Sequence, residues 1–404
     1  MSPLKIAHIT TIDQSLDYLL LHQLQSLRDA GYAVTGIAAP GPGPHAARVT
    51  AAGIRYLPLH MTRNFTPLTD LVSLWHLWRL IRRERFTIVH THNPKPGLLG
   101  QLAARLAGTP VVVNTIHGFY FHDHMRPRAR RFYILMEQLA ARCSDGILSQ
   151  NHEDLATALR EGICKPEQIT HLGNGIDLTL FDPARQTIAA VQHRREELGI
   201  PDDAPVVGFV GRLAARRKGF LDFLAAAATI AAHVPAVRFL IVGEADHGKP
   251  DAVEPSAAAE YGIAERCIFL GQQPNEALPT IYRLMNLLVL PSLFEGVPRV
   301  VMEAAAMGIP AVVTDVKGNR EAVEQGRNGL LVPLGDVPAL AQAILSILTD
   351  TALAERLAAQ SRQFALERFD ERRVFARVQA EYARLLTQKG VRVPHPTATG
   401  AHDG

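Results

Sequence analysis

The stretch Leu287-Leu288-Val289-Leu290-Pro291-Ser292-Leu293-Phe294-Glu295-Gly296-Val297-Pro298-Arg299-Val300-Val301-Met302-Glu303-Ala304 carries the decisive pattern of this chain. Its first four residues are an unbroken apolar run, the mark of a short buried strand. Gly296 and Pro298 then turn the chain, and an Ala- and Met-rich helix runs on to Gly308, where Ile309-Pro310 prevents continuation. Pro298 suits the first helical position, because its missing N–H would have had no intrahelical partner there. Glu295 therefore falls in the strand-to-helix loop and Glu303 in the second helical turn, roughly 10 Å apart at the rise of an α-helix. Between them lies a helix N-terminus, whose free N–H groups and dipole favour a bound anion. That row suits a nucleotide sugar: one acid on sugar hydroxyls, the amides on a diphosphate, the other acid on ribose hydroxyls.

Outward from this stretch, strands and helices alternate. In the second half, residues 206–210, 237–242, 267–270, 287–290 and 311–314 read as strands, with helices at 340–348 and 353–368. In the first half, strands are expected at 5–10, 33–38, near Leu57, and at 87–90, 111–116, 147–149 and 169–172. Helices separate them at 16–30, 67–85 and 97–106, and a last amphipathic helix covers 372–387. At 404 residues the chain is long for one core. The alternation predicts α/β architecture in two doubly wound domains, with ligands at the carboxyl ends of the strands.

Gly211-Arg212-Leu213 follows the strand at 206–210, and Lys218-Gly219 comes shortly after. Two cations at a strand's carboxyl end can neutralise a leaving diphosphate, Arg as a fork and Lys as a point charge. Arg216 and Arg217 in the same loop exceed what that task needs.

The Glu-x7-Glu arrangement with Gly296 and Pro298, joined by Arg212 and Lys218, resembles the donor-site signature of the retaining family-4 glycosyltransferases. The resemblance implies the GT-B fold, two Rossmann-like doubly wound domains facing across a cleft. The expected division is 1–184 for the acceptor domain, 185–368 for the nucleotide-sugar domain, 369–388 for a helix crossing back, and 389–404 for a disordered tail. It makes Glu295, His117, Arg212 and Lys218 the catalytic candidates. Donor binding would fall to Arg212, Lys218, Glu295, Gly296, Val297 and Glu303, with Gly271 and Gln272 near the base. Gly173-Asn174-Gly175-Ile176-Asp177 is similar to the family's Asn-Gly-Ile-Asp turn, although Asn and Gly also serve any tight turn. Gly243-Glu244-Ala245-Asp246 departs from relatives that carry a second glycine, which implies a differently shaped loop.

In the first half, His117 ends the strand at 111–116, and the resemblance places a His near there beside the transferred sugar; a satisfied structural histidine is the alternative. His90-Thr91-His92-Asn93-Pro94-Lys95 also follows a strand. Two His without a third ligand do not make a metal site, so Lys95 and the following helix N-terminus are the expected acceptor contacts. Thr10-Thr11-Ile12-Asp13 replaces the glycine-rich first loop of many relatives and resembles a subgroup acting on lipid-linked saccharides in bacterial surface polymer synthesis. Asp13 is the second acceptor candidate.

The formal charge of +3 gives no argument for nucleic acid, and Cys143, Cys164 and Cys267 lack metal-ligand spacing. An odd, scattered cysteine set fits a reducing cytoplasm. The start of the chain reads as a strand and not as a signal peptide, and no apolar run reaches the roughly 20 residues that span a bilayer. No Asp-x-Asp occurs, so a metal-free, cofactor-free mechanism is expected; phosphate-loop and nucleophile-elbow motifs are also absent from the sequence. Residues 1–184 hold 18 Lys and Arg against 14 Asp and Glu. Within that basic half, Leu74, Trp75, Leu77, Trp78, Leu80 and Ile81 share a helix with Arg79, Arg82, Arg83 and Arg85, and Arg126, Arg128, Arg130 and Arg131 adjoin Phe132 and Tyr133. These clusters suit either an ordinary core helix with a solvated face or a peripheral contact with an anionic membrane. The expected activity is transfer of a hexose or N-acetylhexosamine from a UDP- or GDP-sugar to an acceptor hydroxyl, that of a polyprenyl-diphosphate-linked saccharide. A GT-B sugar-nucleotide epimerase, transfer to a small soluble acceptor, and a non-catalytic nucleotide-sugar binder are the alternatives.

Overall fold

Strand pairing in both sheets is parallel throughout, as the continuous apolar runs require. The structure is a computed structural model that describes residues 3–62, 66–92, 94–122 and 125–391. Contacts divide the chain into one unit of Met1–Gly173 with Arg372–Gly404 and another of Asn174–Glu371.

The first unit holds β1 (Lys5–Ile12), β2 (Ala33–Ala39), β3 (Arg55–Pro58), β4 (Ile88–His92), β5 (Val111–Ile116), β6 (Gly146–Ser149) and β7 (Ile169–His171). The second holds β8 (Val206–Val210), β9 (Arg238–Val242), β10 (Cys267–Phe269), β11 (Leu287–Leu290), β12 (Ala311–Thr314) and β13 (Gly329–Val332). Sheet order is β3-β2-β1-β4-β5-β6-β7 in one and β10-β9-β8-β11-β12-β13 in the other. Each order reverses beside its unit's first strand, at β1/β4 and at β8/β11. At such a switch point the loops diverge and leave room for a ligand.

Alternate residues of the second sheet feed separate cores. Val206, Leu288 and Leu290 pack on one face, while Val207, Phe209 and Val289 pack on the other. In the first unit the closing helix, Glu371–Gln388, buries Val374, Val378, Tyr382, Leu385 and Leu386 against Ile6, Leu24 and Val113. The chain therefore returns to the first unit.

The division between units falls at 173/174 and not after residue 184. Ile176 and Phe181 are fully buried in the second unit's core, and the Ile176 N–H donates to the Phe369 carbonyl at 2.9 Å. Helices Pro127–Ala141 and His152–Arg160 and strand β13 had no counterpart in the periodicity reading. The helix expected at 16–30 contains a π-turn, Leu16–Leu20. Pro298 is the N-cap of helix Arg299–Ala306, one position earlier than expected. Asn93 and most of the expected tail, residues 392–404, lie outside the described residues.

Candidate functional site

At the second unit's switch point, β8 delivers Gly211-Arg212 and β11 delivers Ser292 and Glu295. The ends of β8, β9 and β10 are laced together: Gly211 N–H donates to Val242 O at 2.9 Å and Gly243 N–H to Gly271 O at 2.8 Å. Gly243 has φ 126°, and a Cβ there would stand 2.0 Å from the Gly211 carbonyl oxygen, so only glycine fits. Gly219 is equally constrained: a Cβ would lie 1.9 Å from the Pro291 carbonyl oxygen. That close approach presses the Lys218-Gly219 pair onto the end of β11, and the Lys218 ammonium donates to Glu295 Oε1 at 2.6 Å. Ser292 Oγ donates to the same oxygen at 2.7 Å. Two residues that the sequence assigns to phosphate and sugar are thus an ion pair, part-buried on both sides.

Arg212 joins them from β8, and its guanidinium is held by Asp246 at 3.1 Å. Asp246 belongs to the loop where relatives carry the second glycine. Glu244 of that loop accepts from the Gln272 N–H at 3.3 Å, so the departure places an acid beside Gly271 and Gln272. Arg216 and Arg217 have a structural use: Asp251 accepts from both their backbone N–H groups at 3.0 and 2.9 Å, and the Arg217 guanidinium sits 5.2 Å from the Phe294 ring centroid.

The loop carrying Glu295 is braced from behind. Thr314 Oγ1 donates to Ser292 O at 2.5 Å, and Asn319 Nδ2 to Thr314 O at 2.9 Å. A Cβ on Gly318 would stand 1.9 Å from the Gly296 carbonyl oxygen, so backbone rests on backbone. Asn174 Nδ2 donates to Val297 O at 3.3 Å, and a Cβ on Gly175 would meet the Glu371 backbone at 2.6 Å. The Asn-Gly-Ile-Asp turn is thus a structural anchor that also touches the Glu295 loop. Helix Arg299–Ala306 has no side-chain cap bond at its N-terminus. Glu303 is only 3% exposed; Tyr282 donates to its Oε2 at 2.9 Å, and Arg299 Nε lies 3.6 Å from Oε1. Burial pushes this carboxyl above its ordinary range.

In the first unit, register builds a cluster at the β1/β4 switch point. His8 stands opposite His90, and His92 opposite Thr115. His92 Nδ1 meets His117 Nε2 at 2.9 Å, and His92 Nε2 meets His8 Nδ1 at 3.0 Å. Tyr382 OH lies 3.3 Å from His8 Nε2 and 2.6 Å from His90 Nδ1, and His90 Nε2 is 2.7 Å from Thr115 Oγ1. Burial drives His8 down to about 3 and His117 to about 4, and holds His90 and His92 well below the usual imidazole range. His8 is the third histidine that the sequence did not reveal, and its nitrogen approaches those of His90 and His92 closely enough to share an ion. Every ring nitrogen of the three already has a hydrogen-bond partner within the protein.

The two acceptor candidates are less open than expected. Asp13 is buried and its Oδ1 accepts from the Gly41 N–H at 2.9 Å. Lys95 is 4% exposed, ion-paired with Asp70 and donating to Thr62 Oγ1 at 2.6 Å. Its charge is neutralised by a neighbour far away in sequence.

The outer face of the first unit corrects the expected helix. Leu77 and Ile81 are core, and Leu74, Trp78 and Leu80 pack partly against it. The exposed stripe lies on the other side of helix Pro67–Glu84, with Leu68 at 83%, Leu71 at 63%, Val72 at 54% and Trp75 at 48%. Helix Pro94–Ala107 packs against both this helix and Pro127–Ala141. The latter exposes Phe132, Leu135 and Leu139 beside Arg128 and Arg131. Arg130 instead turns inward to Glu161 at 2.8 Å. No single helix among the described residues is long and apolar enough to cross a membrane.

Residues 19–175 match the family described as Glycosyl transferase 4-like domain, and residues 204–350 match Glycosyl transferases group 1. The chain is 32% identical over 295 residues to UDP-Gal:alpha-D-GlcNAc-diphosphoundecaprenol alpha-1,3-galactosyltransferase of Escherichia coli, covering 72% of this chain and 74% of that one. It is 25% identical to the capsular polysaccharide biosynthesis glycosyltransferase CapM of Staphylococcus aureus, covering 95% and 98%. In fold it is similar to HepE of Anabaena, solved with UDP and glucose, at a TM-score of 0.80 and 20% identity over 94% of this chain and 100% of that one. It is likewise similar to sucrose-phosphate synthase of Thermosynechococcus elongatus, at 0.78 and 23% over 95% and 100%.

Proposed function

We propose that this chain, which belongs to the family-4 glycosyltransferases of the GT-B fold, moves a hexose or N-acetylhexosamine from a nucleotide-diphosphate sugar to a hydroxyl of a polyprenyl-diphosphate-linked saccharide. The observation that carries the donor reading is the Lys218–Glu295 ion pair beside Arg212 and an uncapped helix N-terminus. A diphosphate entering there meets two cations and a helix start that no side chain caps, and releases Lys218 from Glu295 to the phosphate. Glu295 then has an oxygen available for sugar hydroxyls, still oriented by Ser292. Glu303, held by Tyr282 and Arg299, takes the ribose once Arg299 yields.

The sugar–phosphate bond breaks with its electron pair passing to the phosphate oxygen, where Arg212, Lys218 and the amides stabilise the charge. The acceptor oxygen attacks the anomeric carbon from the same face and gives its proton to the departing phosphate, so configuration is retained. In this scheme no metal takes part, and EDTA leaves turnover intact; activity that is lost to EDTA and restored only by Mg²⁺ or Mn²⁺ would refute that part. The lipid-linked acceptor is supported by the activity of the Escherichia coli relative. UDP is the donor nucleotide to test first, because that relative's name and the Anabaena structure both include it.

With a lipid-linked acceptor and a nucleotide-sugar donor, we assign the enzyme to the cytoplasmic face of a membrane, with the exposed apolar stripe and its flanking arginines as the docking face. The test is a panel of UDP- and GDP-sugars against polyprenyl-diphosphate-linked and soluble acceptors. Transfer only to soluble acceptors removes the lipid reading. Isomerisation of the donor without acceptor makes the protein an epimerase, and nucleotide binding without turnover makes it a non-catalytic binder.

A further inference from the structure

Six side chains of the first unit form one unbroken hydrogen-bonded line: Thr115, His90, Tyr382, His8, His92, His117. A neutral imidazole has one N–H and one bare nitrogen, so each ring donates on one side and accepts on the other. No contact can hold two hydrogens or none. The Tyr382 hydroxyl passes the direction on, accepting from one neighbour and donating to the next. The atom pairing therefore permits two self-consistent arrangements, with all four rings protonated on Nδ1 or all four on Nε2.

The Thr115 end selects between them. Thr115 is buried, and among the described residues its hydroxyl has one side-chain partner, His90 Nε2. With His90 protonated on Nε2, the Thr115 hydrogen would be left in the interior without that acceptor, a state that buried polar groups avoid. With Thr115 donating, every link runs the same way and His117 receives a hydrogen bond on Nε2 from His92. Its own hydrogen then sits on Nδ1. The Gln150 side chain also hydrogen-bonds His117, and its amide oxygen can accept that hydrogen.

We propose that this line is a tautomer relay in which Thr115, Tyr382, His8 and His92 are positioning residues that fix His117 as a neutral imidazole with its hydrogen on Nδ1. The functional part rests on reading His117 as a substrate contact. A ligand that takes over from Gln150 at His117 would then always meet an Nδ1–H donor, set by a hydroxyl several side chains away. The shared-ion alternative at His8, His90 and His92 is weaker, because an ion would have to break links that are already complete.

The test is long-range ¹H–¹⁵N correlation on protein labelled at histidine, with each ring assigned from its His→Asn variant. The wild type is expected to show Nδ1–H signals for all four rings at neutral pH; any Nε2–H ring among them overturns the relay without recourse to mutants. Thr115→Val removes the selecting hydrogen and Tyr382→Phe cuts the line, and both are expected to give mixed tautomers at His117. Thr115→Ser is expected to restore the single state. In Thr115→Val and Tyr382→Phe kcat is expected to fall about tenfold, the order of one lost oriented hydrogen bond, with the donor KM little changed. His117 signals unchanged in both of these variants overturn the proposal. Shifted signals with wild-type turnover uphold the relay and remove His117 from the substrate site.

Discussion

The polar groups at the two switch points are handled in opposite ways. In the second unit they are charged and held by partners of opposite sign, Lys218 by Glu295 and Arg212 by Asp246, near enough to solvent for a ligand to take over one partner. In the first unit they are neutral and paired with one another, four imidazoles and a phenol with no ion among them. The same topology thus yields one switch point held by ion pairs and one that resists gaining charge. Perturbing each unit should give different signatures.

The largest effect is expected from Glu295→Gln. The amide keeps the shape but loses the charge that holds Lys218 and that the proposed mechanism uses to orient the sugar, so kcat should drop about 100-fold or more, the scale of a transition-state contact. Nucleotide-diphosphate binding should survive, because Lys218 is then free for phosphate. Near-normal turnover in the variant would sink the assignment. Glu303→Ala should raise the donor KM instead, and a pure kcat effect there would mean the two acids have exchanged roles.

Arg212→Ala and Lys218→Ala come next. Each should weaken nucleoside-diphosphate binding by about 2 kcal/mol while leaving nucleoside binding nearly unchanged, as a charge-assisted phosphate contact requires. Equal losses for both ligands in calorimetry would count against the phosphate role. Because Lys218 touches Glu295, the Lys218→Ala and Glu295→Gln effects should not add, whereas Arg212 and Glu295 should come closer to additivity.

Much of this contrast was legible before the fold was known, and what was not has a common cause. The apolar runs and strand–helix alternation are local, so both doubly wound sheets could be read from them. Glu295, Glu303, Arg212 and Lys218 could be placed because each follows a strand end by a short, fixed interval. Pairing across long sequence separations could not be read: Lys218 with Glu295, Lys95 with Asp70, and above all Tyr382 with His8, 374 positions apart. Asp246 was visible only as a missing glycine. The division at residue 174 was hidden because the burial of Ile176 and Phe181 depends on partners near Phe369. On helix Pro67–Glu84 both faces are apolar, so periodicity alone could not say that Leu77 goes inward and Leu68 outward.

The histidine line and Glu303 should also answer pH with opposite signs. His8 titrates near 6.5 when unfolded and at about 3 when folded, so between those values the unfolded chain binds the proton. The His8 contribution is therefore full above about pH 6.5 and falls on acidification, by about 2 kcal/mol at pH 5; His90, His92 and His117 act in the same direction, and the Glu137 carboxyl, raised by burial to about 7, acts against them. Glu303 runs the other way: its carboxyl is raised in the folded state, so its contribution is present at low pH and is lost as pH rises through the folded value. Melting followed by hydrogen exchange should show first-unit amides losing protection from pH 7 to pH 5 ahead of those around Glu303. Parallel loss in both units would break the contrast.

The smallest effects per residue belong to the outer face of the first unit, where charge and apolar surface work together. Leu68, Leu71, Val72 and Trp75 follow helical spacing on the exposed side of their helix, with Arg79 over the Trp75 ring at 5.4 Å. Arg128 and Arg131 flank exposed Phe132 and Leu135 on helix Pro127–Ala141. Each arginine near an anionic surface contributes about 1 kcal/mol, and inserted leucines add apolar burial that salt does not screen. The protein should therefore sediment with anionic vesicles and not with zwitterionic ones, and high salt should release most of it. Arg126→Ser, Arg128→Ser and Arg131→Ser together should weaken sedimentation and activity on a lipid-linked acceptor while sparing donor binding. Arg130 is left out of that set, because its ion pair with Glu161 makes its loss a matter of folding. Leu68→Ser with Leu71→Ser should remove the fraction that salt does not release. If wild-type protein ignores anionic vesicles at low salt, the docking face is wrong; a stripe variant that sediments like wild type would leave the arginines as the whole of the attraction.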